Sequence, residues 1–294
     1  MRLLRAATLS VKDPDATAQR YVDWLEYRIL ERGTVADDLA ASWGATGAAG
    51  APYVVVGPQS GQEVFLRFVA GPRAAPVPPL RTFGWAAIEL CVQDVLKLNE
   101  RLLHSPFEII GPPKELDGLP TIFPMQVRGP DDEIVYLTQI KGDLPEYDLP
   151  RARSFVDMLF IAVLACSDMH ASLAWFERAL GLAPGRDMAI EYTLLAEAFA
   201  MPVSEKHTLA TMTHERDVFL ECDQYPSAAT ARPTVPDALP PCFAIASFTC
   251  PNLERIKENW IRPPVVRHGA VYGGRRAGTL RAPDGTLVEV IAQS

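Results

Sequence analysis

The sequence predicts an α+β protein made of a tandem duplicated module, and three paired landmarks predict it. V-R-G-P-D-D-E-I-V-Y-L-T-Q around residues 127–139 is answered by L-R-A-P-D-G-T-L-V-E-V-I-A-Q around 280–293, which sets Pro130-Asp131 and Pro283-Asp284 at an offset of 153. V-F-L-R-F, Val64 to Phe68, is answered by V-F-L-E-C, Val218 to Cys222, at an offset of 154. T-L-S-V-K-D ending at Asp13 is answered by A-V-L-A-C-S-D ending at Asp168, at an offset of 155. Three landmarks in one order at nearly constant spacing define a module of roughly 150 residues. The copies differ at one position able to carry chemistry, where Glu289 stands in the second and Tyr136 in the first.

Each copy reads as a strand, a helix and then several strands. Residues 4–12 form the first strand, and Asp13-Pro14-Asp15 is a helix start. From Ala16 to Leu30 the apolar residues Tyr21, Trp24, Leu25 and Ile29 share one helical face. A short helix follows over Ala36–Trp43. Strands at Tyr53–Val56 and Glu63–Val69 flank the turn P-Q-S-G. Phe83–Val92 is a strand and Val95–His104 a helix, and Ile122–Val127 and Ile134–Ile140 form a hairpin about G-P-D-D. The second copy repeats the plan with a strand at Met158–Ala165, a helix from Ala171 to Leu180 and a helical insertion I-E-Y-T-L-L-A-E-A-F-A. Strands at Thr208–Met212, Val218–Cys222 and Phe243–Thr249, a helix at Leu253–Trp260 and a hairpin about A-P-D-G complete it. The polar, Pro-containing stretch 141–154 is the linker, leaving 1–140 and 155–294 as the two modules.

Composition narrows the function classes. A chain of 294 residues with 48% hydrophobic and 22% charged residues suits a globular protein. A net charge of −8 argues against general affinity for nucleic acid or anionic membranes. No apolar run approaches the ~20 residues that span a bilayer. The five cysteines, odd in number and without metal-type spacing, point to buried, reduced thiols and a cytoplasmic setting. Many of the 26 prolines fall in the connections 71–80 and 226–241. Phosphate-cradling, dinucleotide and nucleophile-elbow motifs are absent.

The strand ending in K-D or S-D before W-L-E or A-W-F-E-R-A-L-G-L, and the closing R-A-P-D-G-T-L-V-E-V, resemble the vicinal oxygen chelate superfamily of glyoxalases, extradiol dioxygenases and bleomycin-resistance proteins. The resemblance covers nearly the whole chain in two copies. It implies tandem duplicated βαβββ modules forming cupped mixed sheets with helices outside, and a cup that holds ligand and usually a divalent metal.

The resemblance also implies where the metal ligands belong. The first falls about seven residues before the terminal Asp of the first strand, at Ala6 and Ile161. The second falls early in the strand before the module's second helix, at W-A-A-I (85–88) and F-A-I-A (243–246). The third is the closing-strand position, Tyr136 or Glu289. Only Glu289 is a ligand type, so no metal and no other cofactor is expected.

Glu289 is then expected as a carboxylate on an apolar wall, its pKa raised by burial, acting as general acid or base with Tyr136 or His268. The alternative is pairing with an arginine, Arg67, Arg275 or Arg276. Arg67 and Glu221 occupy equivalent strand positions, either as a cross-cup ion pair or as separate ligand contacts. Trp85, His207, Tyr272 and Arg275 complete the candidate binding set, with Trp43 a further aromatic wall.

Two functions compete on this reading. One is a metal-independent lyase or isomerase moving a proton on a small apolar or aromatic carbonyl or carboxylate compound. The other is a non-catalytic binding protein of the bleomycin-resistance type, and a weaker third is a metal-dependent extradiol-dioxygenase-like enzyme. All three take a small-molecule ligand, with no nucleic acid or membrane partner, in a monomer or homodimer.

Overall fold

Four corners of the chain share one local solution. Asp13, Asp94, Asp168 and Asn252 each end a strand, and each side chain accepts a backbone N–H of the helical turn that follows. The computed structural model describes residues 3–73, 77–116, 118–185 and 187–293, so residues 74–76 of the first Pro-rich connection lie outside it. The four corners open four βαβββ-like units, two in each half of the chain.

The first unit comprises β1 (Leu4–Val11), α1 (Pro14–Leu25), β2 (Arg28–Thr34), α2 (Asp37–Trp43), β3 (Pro52–Gly57) and β4 (Phe65–Ala70). The second comprises β5 (Gly84–Val92), α3 (Val95–Leu102), β6 (Glu108–Gly111), β7 (Ile122–Arg128) and β8 (Ile134–Ile140). The third runs through β9 (Val156–Cys166), α4 (Met169–Leu180), β10 (Ala183–Pro184), β11 (Met188–Glu191), α5 (Thr193–Ala198), β12 (Lys206–His214) and β13 (Asp217–Gln224). The fourth has β14 (Cys242–Cys250), β15 (Val265–Arg267), β16 (Arg275–Arg281) and β17 (Leu287–Ala292).

The two halves of the duplication are not the two sheets. The first and fourth units form an eight-stranded sheet, in the order β15-β16-β17-β14-β1-β4-β3-β2. The second and third form a nine-stranded path, β10-β12-β13-β9-β5-β8-β7-β6, with β11 added on β12. Within each unit the first and last strands pair in parallel, and between units the first strands pair antiparallel. The fold is therefore α+β with curled mixed sheets, as the sequence predicts.

Alternation along the strands divides the apolar residues among three clusters. One face of each sheet joins α1, α3 and α4 in the principal core, which includes Tyr21, Phe68, Trp85, Phe176 and Phe248. The opposite faces carry separate linings, one for each cup. The segment 34–52, with α2, walls the first cup, and α5 covers the second.

The repeated Pro-Asp pairs lock the sheets together. Asp131, in the β7–β8 turn, accepts the Lys12 N–H (3.0 Å), the Thr17 hydroxyl (2.6 Å) and the Arg20 guanidinium at the start of α1. Asp284, in the β16–β17 turn, accepts the N–H (2.9 Å) and hydroxyl (2.6 Å) of Ser167 ahead of α4. Each closing hairpin thus anchors on the strand–helix corner of the other sheet.

Three expectations change in detail. The first helix ends at Leu25, where Glu26 takes a left-handed conformation and β2 begins. The helix expected at 253–260 is a single turn over Leu253–Arg255. The insertion after α4 is part strand, β11, before the short α5. No disulfide links the five cysteines, all of which are buried. No described helix is long and apolar enough to cross a membrane.

Candidate functional site

Counting back five residues from each capping side chain gives Thr8, Glu89, Val163 and Ser247. Their parallel partners in register are Arg67, Tyr136, Glu221 and Glu289. The first cup is therefore floored by Thr8, Arg67, Ser247 and Glu289, and the second by Glu89, Tyr136, Val163 and Glu221. The register sits two residues beyond the one expected for the first strand, and brings in Thr8, Glu89 and Ser247. The constant distance from a helix cap was the signal that would have located them.

In the first cup the floor residues satisfy one another. Glu289, 1% exposed, accepts Trp43 Nε1 (2.9 Å) and the Tyr272 hydroxyl (2.8 Å) on Oε1. Its Oε2 accepts the Ser247 hydroxyl (2.7 Å) and Arg67 Nη2 (3.2 Å). Arg67 also donates from Nε and Nη2 to the Thr8 hydroxyl (3.0 and 2.8 Å) and from Nη1 to the Tyr272 hydroxyl (2.7 Å). Its guanidinium lies 4.6 Å from the Trp43 ring centre and 5.3 Å from that of Tyr272, within cation–π range.

The electrostatics follow from this cage. Burial alone would raise the Glu289 pKa, but Arg67 and the donors Trp43, Ser247 and Tyr272 outweigh it and hold the carboxyl below its ordinary value. The expected raised pKa is thus corrected, and Glu289 takes the paired alternative with Arg67. Burial pushes the Tyr272 phenol far above its usual range.

A cavity of about 260 Å³ opens above this floor, at the small end for ligand pockets. Arg67 and Tyr272 line it, together with Leu39, Val55 and Val271, but Glu289 does not. Its mouth is held by Glu31, which accepts the Tyr53 hydroxyl and the Ala270 N–H (2.5 Å), and by Arg267, which donates to Asp38 (3.0 Å). Burial and the bond to Glu31 raise the Tyr53 phenol to about 12. His268 lines the rim and is exposed. Glu31, Tyr53, Asp38 and Arg267 were not among the candidate residues, because β2 and its contact with the 267–272 loop carry no sequence signature.

The other candidates separate from this cavity. Tyr136 and Glu221 belong to the second cup, so Tyr136 cannot assist Glu289, and no Arg67–Glu221 pair forms. His207 lies on β12 in the same sheet as Glu221. Trp85 is core, stacked on Phe243 (5.2 Å between ring centres), with its Nε1 donating to the Leu287 carbonyl (2.8 Å). Arg275 folds back on its own loop, donating to the Tyr272 carbonyl (2.7 Å), and does not line the cavity.

In the second cup Glu89 accepts the Thr138 hydroxyl (2.5 Å), and the Tyr136 and Tyr192 hydroxyls share a short hydrogen bond. Neither cup fits a divalent cation. The one floor carboxylate of the first cup already receives four donors, one from a fixed guanidinium, and Glu31 and Asp38 at the mouth are held by Tyr53, Ala270 and Arg267. In the second, as elsewhere among the described residues, no His, Cys, Asp and Glu set converges to hold a metal.

Comparison of the fold with solved structures agrees with this architecture. Glyoxalase I from Zea mays superposes with a TM-score of 0.66 at 15% identity, over 99% of this chain and 92% of that one. A variant of the same enzyme gives 0.67 at 16%, over 99% and 92%. A provisionally assigned dioxygenase from Bacillus subtilis subsp. subtilis str. 168 gives 0.66 at 13%, over 99% and 85%. The chain has the fold of the vicinal oxygen chelate superfamily, with two fused modules. By sequence, no family model and no curated protein matches it. The likeness to this superfamily establishes architecture, and chemistry has to be argued from the cups themselves.

Proposed function

We propose that this vicinal-oxygen-chelate-fold protein binds a small, largely apolar molecule in its first cup without a metal and without moving a proton through Glu289. The observation that carries this reading is the state of Glu289. Its oxygens accept four hydrogen bonds, its basicity is lowered, and Arg67 and Tyr272 stand between it and the cavity. A carboxylate so engaged is a poor general base.

What the floor offers a ligand is a donor. Of the five N–H groups of a guanidinium, Arg67 uses four in the bonds described above, which leaves one on Nη1. That donor selects a carbonyl, carboxylate or phenolic oxygen, while Leu39, Val55 and Val271 receive an apolar body. The reading thus supports a sequestering protein of the bleomycin-resistance type over a lyase or isomerase.

A catalytic reading keeps one specific support, because His268 and the Tyr53–Glu31 pair line the same cavity. Proton transfer would then run from the rim. Calorimetric titration with arylacetaldehydes and arylacetates, run beside solvent-deuterium exchange of the C–H groups α to their carbonyls, separates the two. Saturable binding without exchange supports sequestration. Exchange that disappears in His268→Ala would replace it with rim catalysis.

A further inference from the structure

The second cup gathers carboxyl groups that no described cation pairs with. Glu89 of β5 and Glu221 of β13 take two of its four floor positions, and Asp223 follows on the same face of β13. None of the three makes an ion pair among the described residues, in contrast to Glu289. The internal repeat sharpens this contrast. Arg67 in the first cup and Glu221 in the second are equivalent positions, so one chain has built the same cup once around a base and once around an acid.

Two buried groups there, Asp223 and His207, lack a full set of partners. Asp223 is 2% exposed, and neither oxygen receives a donor other than the hydrogen it shares with Glu221. His207 is 6% exposed and its Nε2 is unpartnered. It lies on the face of β12 shared by Leu209 and Thr211, which pair with Asp223 and Glu221. Buried polar groups without partners cost stability, and in native proteins they call for a ligand or another explanation. The rings of Tyr136, Tyr192 and Tyr225 add aromatic surface to the same lining.

We propose that the second cup binds an organic ammonium ion, its charge set against Glu89 and Glu221 and its substituents against the rings of Tyr136, Tyr192 and Tyr225. Carboxylates supply the attraction, and tyrosine faces favour a cation over a neutral molecule. A bare metal ion is the poorer occupant, since these side chains do not converge as a ligand set. Entry requires α5 to lift, because Leu195 packs into the cup's apolar lining.

Burial makes these carboxyls hold their protons until a cation is set against them. Burial first, and Glu221 second, push Glu89 up to about 8, and burial raises Glu221 and Asp223 well above their usual range. The titratable and charged side chains around these carboxyls are Cys222 and Asp223 of β13, Tyr225 just after it, Tyr136 of β8, Tyr192 ahead of α5 and Cys166 of β9, with the Arg232 guanidinium acting on Tyr225. Binding of a fixed cation therefore displaces a proton.

Calorimetric titration with benzyltrimethylammonium, and with benzyl alcohol and benzoate as neutral and anionic counterparts, tests the assignment. The expected result is saturable uptake of the cation alone, tightening about ten-fold from about pH 6 to about pH 8.5, with about one proton released near pH 7. The Glu89→Gln/Glu221→Gln variant should lose the cation at least about ten-fold while melting at the same or a higher temperature. No uptake at either pH, equal uptake of benzyl alcohol, or uptake retained in the double variant overturns the proposal. So does stoichiometric binding of Mn²⁺ alone that the double variant abolishes, which would make the cup a metal site. Proton release is read on the unaltered protein, so the test does not depend on the variant folding.

Discussion

Arg67 and Glu289 meet 3.2 Å apart on the floor of the first cup, carried there by β4 and β17 from positions 222 residues apart in the chain. Both are almost fully buried, so the pair is charged inside a low-dielectric wall and is tolerated because Thr8, Trp43, Ser247 and Tyr272 occupy its remaining hydrogen-bonding capacity apart from one Nη1 hydrogen of Arg67. The pair also joins the two ends of the duplication, since β4 belongs to the first unit of the chain and β17 to the last.

Breaking one side of this pair should be costly. Glu289→Gln leaves the Arg67 charge buried without its counter-ion, and is expected to destabilise by about 3–5 kcal/mol. Replacing both residues by methionine should cost less than either single change, because no orphaned charge remains. Urea unfolding of Glu289→Gln, Glu289→Met, Arg67→Met and the double methionine variant measures this. A single variant within about 1 kcal/mol of the parent would show that the ion pair is loose and hydrated.

The two cups should respond to pH with opposite signs. Glu289 has a lowered folded pKa, so its stabilisation is present above the ordinary value near 4.5 and is lost as pH falls through the folded one. Glu89 has a raised one, so its contribution is intact below about 4.5 and is lost as pH climbs towards about 8. Glu89→Gln should therefore stabilise the protein by about 1–3 kcal/mol at neutral pH and have little effect near pH 4. Melting curves across pH check this, and a variant whose profile matches the parent would mean Glu89 is solvated.

Much of the fold was legible because each unit opens with the same short statement, an apolar strand closed by Asp or Asn. The Pro-Asp landmarks were legible for a physical reason, since Asp131 and Asp284 perform the same anchoring task. Exposed edge strands such as β2 and β15 were not legible, because a strand with one solvated face and charged residues looks like a loop or a helix tail. The site was only half legible. Arg67, Glu289, Tyr272 and His268 emerged from strand equivalence and loop position. Their grouping did not, because the duplication suggested that Tyr136 and Glu289 act together, whereas units exchange partners between halves. Glu89 was missed by one residue of register.

The two anchors should differ in strength. Asp131 is buried and receives a backbone N–H, a hydroxyl and a guanidinium, so Asp131→Ala should cost about 2–4 kcal/mol. Asp284 is exposed and holds only Ser167, so Asp284→Ala should cost less than about 1 kcal/mol. Chemical denaturation compares them directly, and equal losses would show that the turns contribute through backbone geometry alone.

Occupancy of the first cup can be blocked without touching its floor. Ala36 is exposed and lines the cavity, so a tryptophan there fills the mouth while leaving the core unchanged. Ala36→Trp should weaken a first-cup ligand at least about ten-fold with a melting temperature close to that of the parent. Tyr272→Phe asks a different question of the same site. It removes a hydroxyl that accepts from Arg67 and donates to Glu289, leaving both charges with one fewer partner. This change should cost about 1–3 kcal/mol of stability. It also frees a second Nη1 hydrogen of Arg67 for the ligand's oxygen, so affinity per bound molecule should be kept or improved. Ligand binding followed by calorimetry in both variants distinguishes a mouth-limited cup from a floor-limited one. Retained affinity in Ala36→Trp, with affinity lost in Tyr272→Phe, would place the ligand outside this cavity or make the Tyr272 hydroxyl its principal contact.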